Sequence, residues 1–231
     1  MTENQSNRFS YIDDNLAEIR EKIKNAKSKS GRTDEVHLMA VTKTVSFDAV
    51  NYAISKGVSL LGENRVQEFL SKADSYTAGT RVHFIGHLQT NKVKYIADRV
   101  DMIQSVDSMK LAEEINKACA KINKVMPVLV EVNCGEESKS GISFNEVENL
   151  LKEMSKLPNI SVEGLMTIPP VEQSEYFFAK MQEKYIDIKA KKLDNIDMTF
   201  LSMGMSGDYE KAIEYGANIV RIGTKLFGAR K

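Results

Sequence analysis

At 231 residues the chain can bury a sizeable core and falls in the range where one α/β barrel makes one domain. Lys plus Arg and Asp plus Glu both total 32, so no net field draws the molecule to nucleic acid or to an anionic membrane. No apolar run approaches the roughly 20 residues of a membrane span, and the start MTENQSNRF lacks the apolar core of an export signal, which predicts a cytoplasmic protein.

In chain order, Ile12, Leu16, Ile19 and Ile23 recur at helical spacing and predict an amphipathic N-terminal helix whose lysine-rich side is a solvated face. A strand at 36–41 follows, then a helix from near Ser46 that Gly57 ends in the left-handed position. Strands are predicted at 58–61, 82–85 and 102–106. Ser108 is placed to cap a helix with the apolar face Leu111, Ile115, Ala118 and Ile122. After a strand at 128–132, Ser143 and Glu146 form a capping-box pattern ahead of Leu150, Leu151 and Met154. The last strands are predicted at 162–168, 198–202 and 219–222.

The strand segments are almost continuously apolar, as in a parallel sheet covered on both faces. Eight of them, alternating with helices, predict a closed (β/α)8 TIM barrel, with an open doubly wound sheet as the alternative. About nine residues follow the eighth strand, too few for a full outer helix, so the N-terminal helix is expected at the seam in that place. Residues 1–231 read as a single domain.

In a barrel, residues just past the strand ends converge on one mouth. The candidates are Lys43, Glu63, Asn64, Gly86, His87, Asn133, Met166, residues 202–206 and residues 221–224. Lys43 in LMAVTKT follows an apolar strand, where loss of water favours the neutral amine that attacks a carbonyl. The alternative is a surface lysine opening a loop. SMGMSGD and RIGT stand at the ends of strands seven and eight, the usual phosphate position in barrel enzymes. Ser206 is expected to present its hydroxyl at the helix beginning near Asp208, with Gly223 and Thr224 adding amides and a second hydroxyl. Arg221 lies inside the apolar run IVRIG and needs a partner, either Glu131 or Glu163 in an ion pair or a ligand atom at the mouth.

His83 reads as a hydrogen-bonded interior residue and His87 as a loop residue nearer the mouth. The three histidines are too widely spaced for a zinc site. Cys119 and Cys134 are expected as thiols, and the methionines as core filler.

The strings LMAVTKT, GENRVQE, HFIGHLQTNK, VNCGEESKSGI, GLMTIPP, LSMGMSGDYEKAI and RIGTKLFGAR run in order from about Val36 to Arg230. Together they closely resemble the pyridoxal phosphate homeostasis protein family, single-domain relatives of the alanine racemase N-terminal barrel. The resemblance implies a cytosolic barrel with pyridoxal 5′-phosphate (PLP) as a Schiff base on Lys43. It implies a phosphate cradle of Ser206, Gly223 and Thr224, Arg221 facing the pyridine nitrogen, and Asn64 and Met205 lining the ring. It further implies a monomeric carrier or buffer, serving PLP-dependent apoenzymes and influencing amino-acid metabolism, without the second domain that completes racemase sites. An active PLP racemase or lyase, or a Schiff-base aldolase, stays open as the alternative.

Overall fold

The computed structural model describes residues 8–135 and 140–229; the centre of the VNCGEESKSGI motif and both chain ends lie outside the described residues. The strands are β1 His37–Val41, β2 Leu60–Glu63, β3 Arg81–Phe84, β4 Met102–Val106, β5 Met126–Val132, β6 Ile160–Thr167, β7 Ile196–Met205 and β8 Ile219–Ile222. Each pairs in parallel with the next, and β8 returns to β1 in the register His37 to Ile219 through Ala40 to Ile222. That last pairing closes the barrel and decides against the open sheet.

Alternation along the strands sorts the side chains into two cores. Met39, Leu60, Ile85 and Ile219 form one group, and Met102, Leu129 and Met166 another, with Phe200 packing on both; these fill the barrel. The residues of opposite parity, including Ala40, Leu61, Phe84, Ile103, Val130 and Ile222, join the larger core beneath the helices.

The helices are α1 Ser10–Lys29, α2 Phe47–Ser55, α3 Val66–Lys72, α4 Met109–Ala120, α5 Val147–Met154, α6 Ser174–Lys191, α7 Tyr209–Glu214 and α8 Thr224–Phe227. A 3₁₀ segment, Thr90–Tyr95, takes the place of a regular helix between β3 and β4. Helix α1 buries Ile12, Leu16, Ile19 and Ile23 as predicted. On one side Asn15 donates to the Leu226 carbonyl at 3.0 Å and Glu18 pairs with Lys225 at 2.9 Å. On the other Asp13 accepts from Tyr52 at 2.8 Å and from Lys56 at 3.0 Å. It therefore bridges α8 and α2 across the β8–β1 seam, in the eighth outer position.

Several boundaries differ from expectation. Gly57 does end α2 at φ +88°, but Val58 belongs to that ending, since its amide donates to Ala53; β2 therefore starts at Leu60 and runs on through Glu63. Ser46 caps α2 through the Ala49 amide. Ser108 precedes α4, yet its hydroxyl goes to Asp107 and caps nothing. Ile122 lies past the end of α4 and is 43% exposed, because the chain turns back through Asn123 at φ 52°. The capping box does not form: the Glu146 amide donates to the Ser143 carbonyl, the Ser143 hydroxyl donates to the Glu146 carboxylate, and α5 begins only at Val147.

Candidate functional site

The inward parity of β1 runs Met39, Val41, Lys43, so the barrel delivers a half-buried Lys43 just beyond the strand end. On β2 the inward set is Leu60, Gly62 and then Asn64, whose buried Oδ1 has no hydrogen-bond partner among the described residues. The next strand end passes hard against it. A Cβ on Gly86 would lie 2.1 Å from the Asn64 carbonyl oxygen, so only glycine fits there. Glu63 has the opposite parity, faces the helices and is fully buried, which removes it from the mouth.

At the other side of the seam, β7 and β8 carry the residues expected to form an anion site. Ser206 Oγ accepts from the amides of Gly223 and Lys225, both at 3.3 Å. This corrects the expected geometry: Ser206 faces the start of α8, not that of α7. The reason is Asp208, whose carboxylate turns back to accept from the Met205 amide at 2.7 Å and closes the β7–α7 turn. Gly223 packs against Val41, with a Cβ there only 3.4 Å from the Val41 Cβ, so the cradle adjoins the strand that carries Lys43. Thr224 is exposed at the first position of α8, and Met205 is half-buried opposite Arg221 in the β7–β8 pairing.

Arg221 lies between these two features, inside the barrel and only 3% exposed. Its Nη1 donates to Ser202 Oγ at 2.8 Å and its Nη2 to the Thr167 carbonyl at 2.7 Å. No ion pair joins it to Glu131 or Glu163: Glu131 accepts instead from Ser140 at 2.9 Å, and Glu163 is half-buried near Asp197, whose charge adds to burial in raising its carboxyl. Burial pulls the Arg221 guanidinium down to about 10, opposed by the charges of Glu131 and Asp208, so it stays cationic at neutral pH. Burial likewise raises the Glu131 carboxyl.

Behind Arg221 runs a polar relay that the sequence reading missed. Ser202 Oγ donates to Gln104 Oε1 at 2.7 Å, and Gln104 Nε2 lies 2.9 Å from His83 Nδ1. Because the Gln104 oxygen is engaged by Ser202, its NH₂ faces the ring, and His83 Nδ1 is the acceptor. Burial, with the charge of Arg81 behind it, depresses His83 to about 3, which keeps the ring neutral with its proton on Nε2. The available signal was Gln104 itself, an amide in the strand MIQSV at the inward parity of Met102.

The mouth thus holds a lysine, a buried arginine, an orphan amide oxygen, and hydroxyls with amides at the β7–β8 ends. This donor set fits a phosphorylated aromatic aldehyde: amides and hydroxyls for the phosphate, a cation for a ring nitrogen, an amine for the carbonyl. Barrel and mouth first define a class. Residues 15–231 match the family model described as alanine racemase, N-terminal domain. A curated relative from Aquifex aeolicus, named pyridoxal phosphate homeostasis protein, is 43% identical over 94% of this chain and 97% of its own. The crystal structure of an unknown protein from Bifidobacterium adolescentis superposes with a TM-score of 0.90 at 34% identity, covering 98% of this chain and 97% of that one. PipY of Synechococcus elongatus, solved with PLP bound, gives a TM-score of 0.82 at 29% identity over 94% of this chain and all of its own. The chain belongs to the pyridoxal phosphate homeostasis protein family.

Proposed function

We propose that the chain binds PLP at this mouth and serves PLP homeostasis, holding the cofactor as a Schiff base on Lys43. The observation that carries this reading is the seam. Pairing of β1 with β8 sets Met39 beside Arg221, and Gly223 packs on Val41, which supports Lys43, Arg221 and the turn at Gly223 acting together at the ends of two neighbouring strands.

In this reading Ser206, Gly223, Thr224 and the Lys225 amide hold the phosphate, Asn64 and Met205 flank the ring, and Arg221 faces the pyridine nitrogen. The cofactor supplies an aldehyde that condenses with amines and a ring that draws electrons once its nitrogen is protonated. A buried guanidinium beside that nitrogen disfavours protonation, so the ring is a weak electron sink. That supports a carrier or buffer over a racemase or lyase, with apoenzymes as recipients. The whole described barrel acts as one PLP-binding unit. None of its described helices is long and apolar enough to cross a membrane.

The test is the absorption spectrum of the purified chain before and after borohydride, with mass analysis of the peptide containing Lys43. A reducible chromophore and an adduct on Lys43 are expected, and Lys43→Ala loses both while still binding the cofactor through its phosphate. An adduct that persists in Lys43→Ala ends the assignment. For the carrier reading, α-proton exchange of amino acids in deuterated water should stay far below turnover rates; exchange at rates of an ordinary enzyme, about 1 per second or faster, rejects it.

A further inference from the structure

Outside the barrel wall, behind the ends of β1 and β2, lies a buried polar cluster that the cofactor contacts do not use. Glu63 is fully buried; its Oε1 accepts from Thr42 Oγ1 at 2.6 Å and from the Tyr76 hydroxyl, and its Oε2 has no partner among the described residues. Lys72, 8% exposed, donates to the Thr42 carbonyl at 3.0 Å and to Glu68 at 2.8 Å, and its Nζ lies 3.7 Å from Glu63. Glu68 in turn accepts from the Thr44 amide at 2.6 Å. Burial pushes the Glu68 carboxyl up, but the Lys72 ammonium and the Thr44 amide outweigh it and hold the group below its usual value.

Thr42 and Thr44 flank Lys43, so the cluster grips the backbone on both sides of that residue. The grip is not idle. Thr44 sits at φ 62°, a left-handed conformation that a β-branched residue adopts at a cost and keeps only where its surroundings impose it. The Val45 amide on the Thr42 carbonyl at 3.0 Å closes the turn that sets this conformation, and the Glu68 carboxylate on the Thr44 amide holds it. A buried Lys with two carboxylates is also weak as a source of stability, because desolvation offsets the attraction, which leaves geometry as what the cluster delivers.

We propose that Lys72, Glu63 and Glu68 are positioning residues for Lys43, clamping Thr42 and Thr44 so that the amine is presented to the carbonyl of the cofactor. The proposal rests on the reading of Lys43 given above. In the step concerned the neutral amine adds to the aldehyde carbon, a C=N bond replaces C=O, and the oxygen leaves as water with the two amine protons. A displacement of the amine by about 1 Å can slow such a step about a hundredfold, without touching the contacts that bind phosphate and ring.

The experiment compares three readouts on the full chain: the rate of imine formation with PLP, the affinity for pyridoxine 5′-phosphate, which has ring and phosphate but no aldehyde, and exchange of the Thr44 amide. In Glu68→Leu, imine formation should slow about tenfold or more, affinity for pyridoxine 5′-phosphate should hold within about twofold, and Thr44 exchange should quicken. Glu68→Gln keeps an acceptor for the Thr44 amide and should regain most of the rate. Thr44→Gly takes the left-handed φ without strain and keeps its amide on Glu68, so it should hold the rate, while Glu68→Ala, at a half-buried site, decides the matter if Glu68→Leu does not fold. An unchanged imine rate in Glu68→Leu or Glu68→Ala, or rate and affinity lost in parallel, overturns the proposal. A wild-type chain that traps nothing on Lys43 overturns the underlying reading, and this one with it.

Discussion

His83 shows how far a single residue can be read from sequence. Its place in an apolar strand marks it as interior and hydrogen-bonded, which the contact with Gln104 bears out. Its coupling through Gln104 and Ser202 to Arg221 is not legible, because it spans four strands. The same limit explains Glu63: with β2 expected to stop at 61, nothing fixed its parity, and the side chain that seemed to face the mouth faces α3. His83 also gives a pH prediction. Its folded value of about 3 lies below the ordinary value near 6.5, so below that pH the unfolded chain binds a proton that the native chain refuses. Stability is therefore intact above about pH 6.5 and is lost as pH falls toward 3. Between about pH 6 and 5, above most carboxylate transitions, His83→Gln should flatten the loss by up to about 1.4 kcal/mol per pH unit. Denaturant titrations of the two proteins along this range check it, and parallel curves would remove His83 from the account.

Elements were legible where the signal was a periodic apolar face, and less so where it was a cap. Helix α1 and all eight strands follow from spacing and apolarity alone. The caps at Ser108 and Ser143 failed for a local reason: each hydroxyl found a neighbouring carboxylate, Asp107 or Glu146, in place of the helix amides. The β7–α7 turn repeats that lesson, since Asp208 takes the Met205 amide and frees Ser206 to face α8. For α1 the consequence is quantitative. Leu16 and Ile19 are 1% exposed or less against the outer face of the seam, so Leu16→Ala should destabilise the chain by about 2 to 4 kcal/mol. Lys29→Ala, which breaks an exposed pair with Glu214, should leave the unfolding midpoint almost unchanged. If the two substitutions cost the same, α1 is held by its charges and not by its buried face.

At the scale of the whole molecule, the closing of the barrel and the proposed cofactor site are one feature. The seam joins β1 to β8, α1 covers it, and the cradle of Ser206, Gly223 and Lys225 is built on it, with Asn15 tying α1 to the Leu226 carbonyl in α8. A ligand that binds only the folded chain adds stability by mass action, so PLP at about 100 times its Kd should add about 2.7 kcal/mol. Because the proposed phosphate contacts lie on the seam, slowed amide exchange should be concentrated in β1, β8 and α8. In Ser206→Ala with Thr224→Val, each lost hydroxyl removes a charge-assisted contact worth about 1.5 to 3 kcal/mol, or about tenfold or more in affinity. At the same PLP concentration the gain should then fall to about 0.4 kcal/mol or less. Pyridoxal, which lacks the phosphate, should stabilise wild type and variant equally. If pyridoxal lost its effect along with PLP, the cradle would lie elsewhere, and the link between cofactor and seam would fall with it.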